Sequence, residues 1–413
     1  MKLSEDDLYR QSTQLRLWSF TPQQIADQRQ QTNRQATERV KANVARIRAQ
    51  RLLDAENDAA ASGVESGSGA NTPNAVTSDR EVDCLTSDEE LKIVNEFCER
   101  AIKLGDFFKF PFEVTATCIQ FLRRFYLYNS PMTYHVQNIS RTAMFLASKV
   151  ENNMANLDDF AANTKSSREV ILAPEYVVMQ GLRYNLDVRH PFRGLKGACM
   201  ELMECAAGRY EGPGDEGGDT IQQRMLQLPL KMHGPPSNTT VKDMEKRVQN
   251  TSYYASKTLK STAVLTDAYF HYTPAQIWLG AHLLADEPLT LFYLDLKVPT
   301  SSPIREKVLK TVQDCAKLLS SHRLYVHANL PKEESAVKEA RHQAEVKTLI
   351  AKLKMCRDPD KVDLVKLNQA QKRDALQGGE LEESKAKRRK LERETYEKEA
   401  DSFWGPELPK KGN

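Results

Sequence analysis

The chain has 413 residues, 40% of them hydrophobic and 28% charged, with a formal net charge of +3. That length accommodates two domains of ordinary size, or one domain with tails, and no apolar run approaches the ~20 residues a membrane span requires. So small a net charge argues against a nucleic-acid-binding surface covering the whole protein.

The chain opens on MKLSEDDLYR, which lacks the apolar segment of a signal peptide. The first ordered signal is Phe20-Thr21-Pro22-Gln23-Gln24-Ile25. Thr21 suits an N-cap, Pro22 the first helical position, and Gln24 the third, which completes a capping box; Phe20 and Ile25 flank it as a hydrophobic staple. The spacing predicts a helix from about 22 to 53, polar nearly all round and therefore lying on a surface. Residues 54–82, with their ASGVESGSGANTPN run, bury too little apolar area to offset chain entropy and are expected to be a disordered insert.

Ser87-Asp88-Glu89-Glu90 opens a further helix by the same capping logic. After Pro111, the residues Val114, Cys118, Phe121, Phe125 and Tyr128 recur at spacings that make one apolar stripe. Val136, Ile139, Ala143, Leu146 and Val150 do the same from Tyr134 to Glu151. A short helix at 157–163 and a longer one ending near Leu182 complete a block of five. A second block begins with a helix over 191–208. The glycines and prolines of 209–239 predict a loop insert, and a long helix follows over 240–270. Thr273-Pro274-Ala275-Gln276-Ile277 repeats the capping chemistry of Thr21. Ser302-Pro303 fits either a helix cap or a proline-directed kinase site. A solvent-rich helix is predicted over 332–356, and the remainder is charged. Within it Lys385, Lys387, Arg388, Arg389 and Lys390 fit either a nuclear localisation patch or a solvated tail.

The seven cysteines are odd in number and form no CxxC pair, which disfavours a disulfide framework or a zinc site and fits a reducing compartment. The sequence holds no phosphate-binding glycine loop, no nucleophile elbow and no metal-spaced histidine pair, so an enzyme reading has no support and neither metal nor cofactor is expected.

Three stretches resemble the cyclins, and among them the cyclin H family. They are Gln14–Thr21 with Trp18 and Phe20; Phe121–Leu127 together with Phe145–Glu151; and Leu265-Thr266-Asp267-Ala268-Tyr269 with Tyr272–Ile277. The resemblance implies an all-α fold of two tandem five-helix cyclin boxes with flanking N- and C-terminal helices. On that plan residues 14–53 are the N-terminal helix, 85–187 the first box, 188–325 the second with its insert at 209–239, 330–357 the C-terminal helix, and 358–413 a disordered tail.

The resemblance also implies a non-enzymatic role in the nucleus: binding and activating a cyclin-dependent kinase catalytic subunit of the TFIIH kinase module, beside a third assembly subunit. The substrate would be the RNA polymerase II C-terminal domain, and neither direct nucleic-acid nor membrane binding is expected. By motif, Lys149 and Glu175 carry the polar kinase contact, with Glu151 beside them; Glu169 is the substitute should Pro174 displace Glu175. Without the resemblance, Lys149 reads as a solvated charge at a helix C-terminus. Trp18 and Phe20 either anchor the N-terminal helix by packing or face the kinase, and Thr266, Asp267, Thr273 and Pro274 mark the second-box motif. The first-box helix, Leu91–Phe97, lacks the substrate-docking motif of cell-cycle cyclins. A cyclin C-like subunit of the Mediator kinase module is the nearest alternative. A TFIIB-like factor is more distant, because paired CxxC and strongly basic repeats are missing.

Overall fold

A computed structural model describes residues 9–61, 82–211, 216–230, 234–235, 239–361 and 363–369. Contacts divide the chain at Val362. The first unit contains helices and connecting segments and, among the described residues, no strand. None of these helices is long and apolar enough to cross a membrane.

Helix α1 spans Thr13–Trp18 and α2 spans Pro22–Ala61. The capping box forms as its chemistry dictates: the Thr21 amide donates to Gln24 Oε1 at 2.8 Å, and the Gln24 amide to Thr21 Oγ1 at 3.2 Å. The helix continues past the expected boundary at residue 53 and takes in 54–61 of the expected insert, where alanine recurs at 55, 59, 60 and 61 and favours helix.

The first five-helix block follows. It comprises α3 (Ser87–Phe107), α4 (Phe112–Tyr128), α5 (Val136–Val150), α6 (Leu157–Asn163) and a split fifth member, α7 (Arg168–Leu172) and α8 (Glu175–Gly181). The cap of α3 is Thr86, one residue before the expected serine, with Glu89 closing the box. Glu90, which a Ser87 cap would have used, is instead buried and accepts from the Ser130 hydroxyl. Helix α4 departs from its single-stripe pattern. Every residue from Val114 to Leu127 is buried, because α3 and α5 pack on one side and α2 on another.

The second block comprises α9 (Phe192–Ala206), α11 (Val241–Thr258), α13 (Pro274–Ala285), α14 (Glu287–Lys297) and α15 (Arg305–Ser321). Two short helices are interposed: α10 (Gly218–Leu226) before α11, and α12 (Ala268–His271) before α13. Helix α10 corrects the expected loop at 209–239; Ile221 and Met225, four apart, bury on one face and hold it to the box. The long helix expected over 240–270 leaves α geometry at residue 259, where a π-turn, Leu259–Ala263, carries the chain toward α12.

Helix α16 (Arg323–Ala328) leads to α17 (Lys332–Met355), whose buried Val346, Leu349 and Leu353 lay a narrow stripe on α3. The Arg323 guanidinium ties this end to Glu99 of α3 at 2.5 Å. Order continues beyond the expected start of the tail at 358: Asp358 is buried, its amide bonded to Met132 O at 2.9 Å, and a 3₁₀ turn covers Pro359–Lys361. The described part of the second unit is a helical segment over 364–369, begun by Asp363, whose carboxylate accepts from the Lys366 amide at 3.0 Å.

Candidate partner-binding site

Helix α5 buries Val136, Ile139, Ala143 and Leu146, and its polar end falls at Lys149 and Glu151. A lysine in the last turn is favoured by the helix dipole. Here the side chain is also held by two partners: its ammonium pairs with Glu175 and lies 4.7 Å above the Phe145 ring. Glu175 is the first residue of α8, with Pro174 as the cap residue. The proline therefore splits the predicted fifth helix rather than kinking it, and puts an acid where the new helix dipole favours one. The Lys149 and Glu175 side chains are 30% and 21% exposed, so the pair sits at the surface yet is already largely ordered. Glu169 lies exposed in the first turn of α7, and the pairing goes to Glu175 instead.

Exposed apolar groups occur along the same elements. Leu172, Tyr176 and Tyr184 are 39%, 63% and 58% exposed, and the two tyrosines meet edge-on at 6.3 Å. After α8, Arg183 and Tyr184 both take left-handed backbone angles, φ 55° and 56°, which side-chain-bearing residues seldom adopt. The turn lays the Arg183 guanidinium 4.6 Å from the Tyr128 ring and 5.4 Å from Trp18, and those contacts offset the backbone cost.

Glu151 is engaged inward. Its carboxylate accepts from Thr117 Oγ1 at 2.6 Å; the same hydroxyl lies 2.9 Å from His190 Nε2, and His190 Nδ1 lies 3.0 Å from the Tyr269 hydroxyl. Burial, then the nearby Arg124 charge, push the His190 pKa down to about 3, so the ring is neutral at physiological pH. This chain of groups joins the end of α5 to the connector between the boxes and to the second box.

Trp18 is fully buried, edge-on to Tyr128 at 6.1 Å, with the Arg124 guanidinium 5.2 Å from its ring. Phe20 meets Phe270 edge-on at 6.0 Å, and its amide donates to Phe270 O at 2.8 Å. Asp267 accepts two bonds from Arg29 of α2, at 2.7 and 2.9 Å, and one from Arg123 of α4 at 2.6 Å. Burial opposes ionisation there, but the Arg123 and Arg29 charges overcome it and hold the carboxyl well below the usual range. The Trp18 segment and the second-box motif, some 240 residues apart, are thus two halves of one interface. Sequence reasoning missed Arg29, Arg123 and Arg124. The signal was present: two arginines inside an otherwise apolar helix require buried acceptors.

Thr273 and Pro274 start α13 with a full capping box, and the Thr266 hydroxyl makes a local bond to Ala263 O. Ser302 is not a cap. Helix α15 starts at Arg305, whose amide donates to Ser302 O at 3.1 Å while its side chain pairs with Asp295. Lys385, Lys387, Arg388, Arg389 and Lys390 lie outside the described residues.

Two consecutive five-helix blocks, clamped to each other and to an N-terminal helix, define a two-box cyclin architecture. The cyclin N-terminal domain matches residues 88–187, and the cyclin C-terminal domain matches residues 190–320. Cyclin CCL1 of Saccharomyces cerevisiae is 29% identical over 307 residues, 74% of this chain and 65% of that one. Cyclin-H1-1 of Arabidopsis thaliana is 28% identical over 203 residues, 49% of this chain and 57% of that one. This chain thus spans between half and two thirds of the length of those relatives. A chain in the structure of the CAK complex of Chaetomium thermophilum bound to ATP-γ-S superposes with a TM-score of 0.66 at 31% identity, covering 92% of this chain and 98% of that one. The protein belongs to the cyclins, in the cyclin H family.

Proposed function

We propose that the protein is the regulatory cyclin of a TFIIH-class cyclin-dependent kinase, acting in the nucleus beside a third assembly subunit and directing phosphorylation of the RNA polymerase II C-terminal domain. It performs no chemistry itself. A protein kinase is active only when its αC glutamate pairs with its β3 lysine. A cyclin promotes that state by binding it more tightly than the inactive one; a shift from a minor to a dominant active state requires a differential affinity of about 5.5 kcal/mol.

The observation that carries this reading is the Lys149–Glu175 pair. Two residues 26 positions apart meet at the junction of α5 and α8, beside exposed Leu172 and Tyr176. Their mutual contact, and the Phe145 ring beneath Lys149, reduce the ordering cost that docking would otherwise incur. Likeness to a chain of the CAK complex supports the same reading.

Lys149→Ala with Glu175→Ala removes both charges and leaves no unpaired partner. Loss of charged contacts at an interface costs about 2–5 kcal/mol. Co-purification with the kinase and stimulation of C-terminal-domain peptide phosphorylation should therefore drop sharply, with circular dichroism unchanged. Wild-type capture and stimulation by the double variant would sink the proposal.

A further inference from the structure

A second surface, on the second box, carries features that neither the fold nor the kinase reading uses. Helix α9 places Arg193, Lys196, Gly197 and Met200 along one face, at the i, i+3, i+4, i+7 spacing that puts residues side by side. Met200 is 62% exposed. Arg193 and Lys196 are exposed and have no acidic partner among the described residues. The floor is Trp278 of α13, 7% exposed, held edge-on by Tyr293 at 5.6 Å. Trp278 lines this groove, its indole Nε1 lies against Gly194 at the groove edge, and no hydrogen-bond acceptor meets that N–H among the described residues.

The two glycines of α9 differ in what they explain. At Gly194 a Cβ would come within 2.7 Å of Trp278 Nε1, so glycine is needed for the helix to cross the indole. At Gly197 a Cβ would meet nothing within 4 Å, although glycine inside a helix costs about 1 kcal/mol relative to alanine. Packing among the described residues gives no reason for glycine there. Close approach of another backbone does.

We propose that this groove docks a short acidic peptide segment of a protein partner. Its backbone passes over Gly197 and a carbonyl accepts from the Trp278 N–H. An apolar side chain lies against Met200, and carboxylates meet Arg193 and Lys196. Charge complementarity selects this occupant: two free cations suit a pair of acidic side chains, whereas the one acid on the rim, Glu201, is already matched by Lys297 at 2.8 Å and by the Tyr293 hydroxyl at 2.6 Å. A polyanion such as nucleic acid would call for a longer basic track.

The test pans a display library of random dodecapeptides against the full-length protein, then measures fluorescein-labelled winners by anisotropy. The proposal predicts winners that combine Asp or Glu with Leu, Met or Phe. Each should lose at least ~tenfold in affinity with Arg193→Glu/Lys196→Glu, with Trp278→Phe, and with Gly197→Leu. The last variant fills open space and raises helix propensity, so its thermal melt should match or exceed wild type and its loss of binding reports blockage alone. The proposal is overturned if no peptides are enriched, if the winners lack acids, if the variants bind them equally, or if a single-stranded oligonucleotide displaces them.

Discussion

Asp267→Asn tests whether the two sequence motifs act as one clamp. The substitution preserves shape and removes the charge that faces Arg29 and Arg123. Arg123 then keeps Asn95 Oδ1 at 2.9 Å and Leu265 O at 2.8 Å, but loses its one ion-pair partner among the described residues while its side chain is 3% exposed. Breaking a buried pair in this way costs about 3–5 kcal/mol, most of it the uncompensated charge left behind. For a unit of more than 300 residues each kcal/mol lowers Tm by roughly 1–2 °C, so the melt should fall by roughly 3–10 °C. Differential scanning calorimetry at neutral pH reads this directly. Limited trypsin digestion should in parallel cut α2 faster, because Arg29 ties α2 to the second box through Asp267. Because the two arginines hold the Asp267 carboxyl far down, its contribution is full above the ordinary carboxylate pKa and fades only as pH falls toward the depressed value. The loss on mutation should therefore persist across the whole neutral range. A variant that melts with wild type, with α2 equally resistant, would refute the clamp.

Glu90 predicts an opposite pH dependence. Burial raises its carboxyl from 4.5 to about 7, so the folded protein holds a proton that the unfolded chain releases. That contribution is complete below 4.5 and is lost as pH rises through about 7. Glu90→Gln, which cannot ionise, should therefore gain on wild type as pH rises from 4.5 to about 7, by on the order of 3 kcal/mol in urea titrations; parallel pH profiles across that window would contradict this. Thr117→Val removes the shared partner of Glu151 and His190, and should cost about 1–3 kcal/mol in the same titrations by leaving buried polar groups unmatched. No measurable loss would mean that the chain of groups between the boxes holds little.

What could be read from the sequence was what local chemistry controls. The Thr21–Gln24 and Thr273–Gln276 caps depend on residues three apart, and both formed as expected. The apolar rhythm of α5 depends only on helix geometry. Errors arose where competing local choices were nearly equal. Thr86 and Ser87 both offer a cap followed by an acid, and the tertiary demand for Glu90 beside Ser130 decided between them. The helix at Gly218–Leu226 was hidden by the glycines before it, although Ile221 and Met225 were in register. Long-range pairings were not legible from spacing: nothing local says that Arg29 meets Asp267. The charged pair was located through its likeness to a family motif, and the structure adds that Pro174 splits the fifth helix so that Glu175 faces Lys149.

The proposed regulatory role requires the Lys149–Glu175 end of the first box to face the kinase. Exchanging the charges, Lys149→Glu with Glu175→Lys, keeps an attractive pair within the cyclin and so preserves the fold, but reverses what is offered to a partner. Calorimetric titration of the purified kinase into this variant is the most direct test. The expected result is a cooperative melt lowered by only a few degrees, since both new charges oppose their helix dipoles, and an affinity lowered by about 2–5 kcal/mol, with loss of kinase stimulation. Wild-type affinity in the charge-exchanged protein would contradict it.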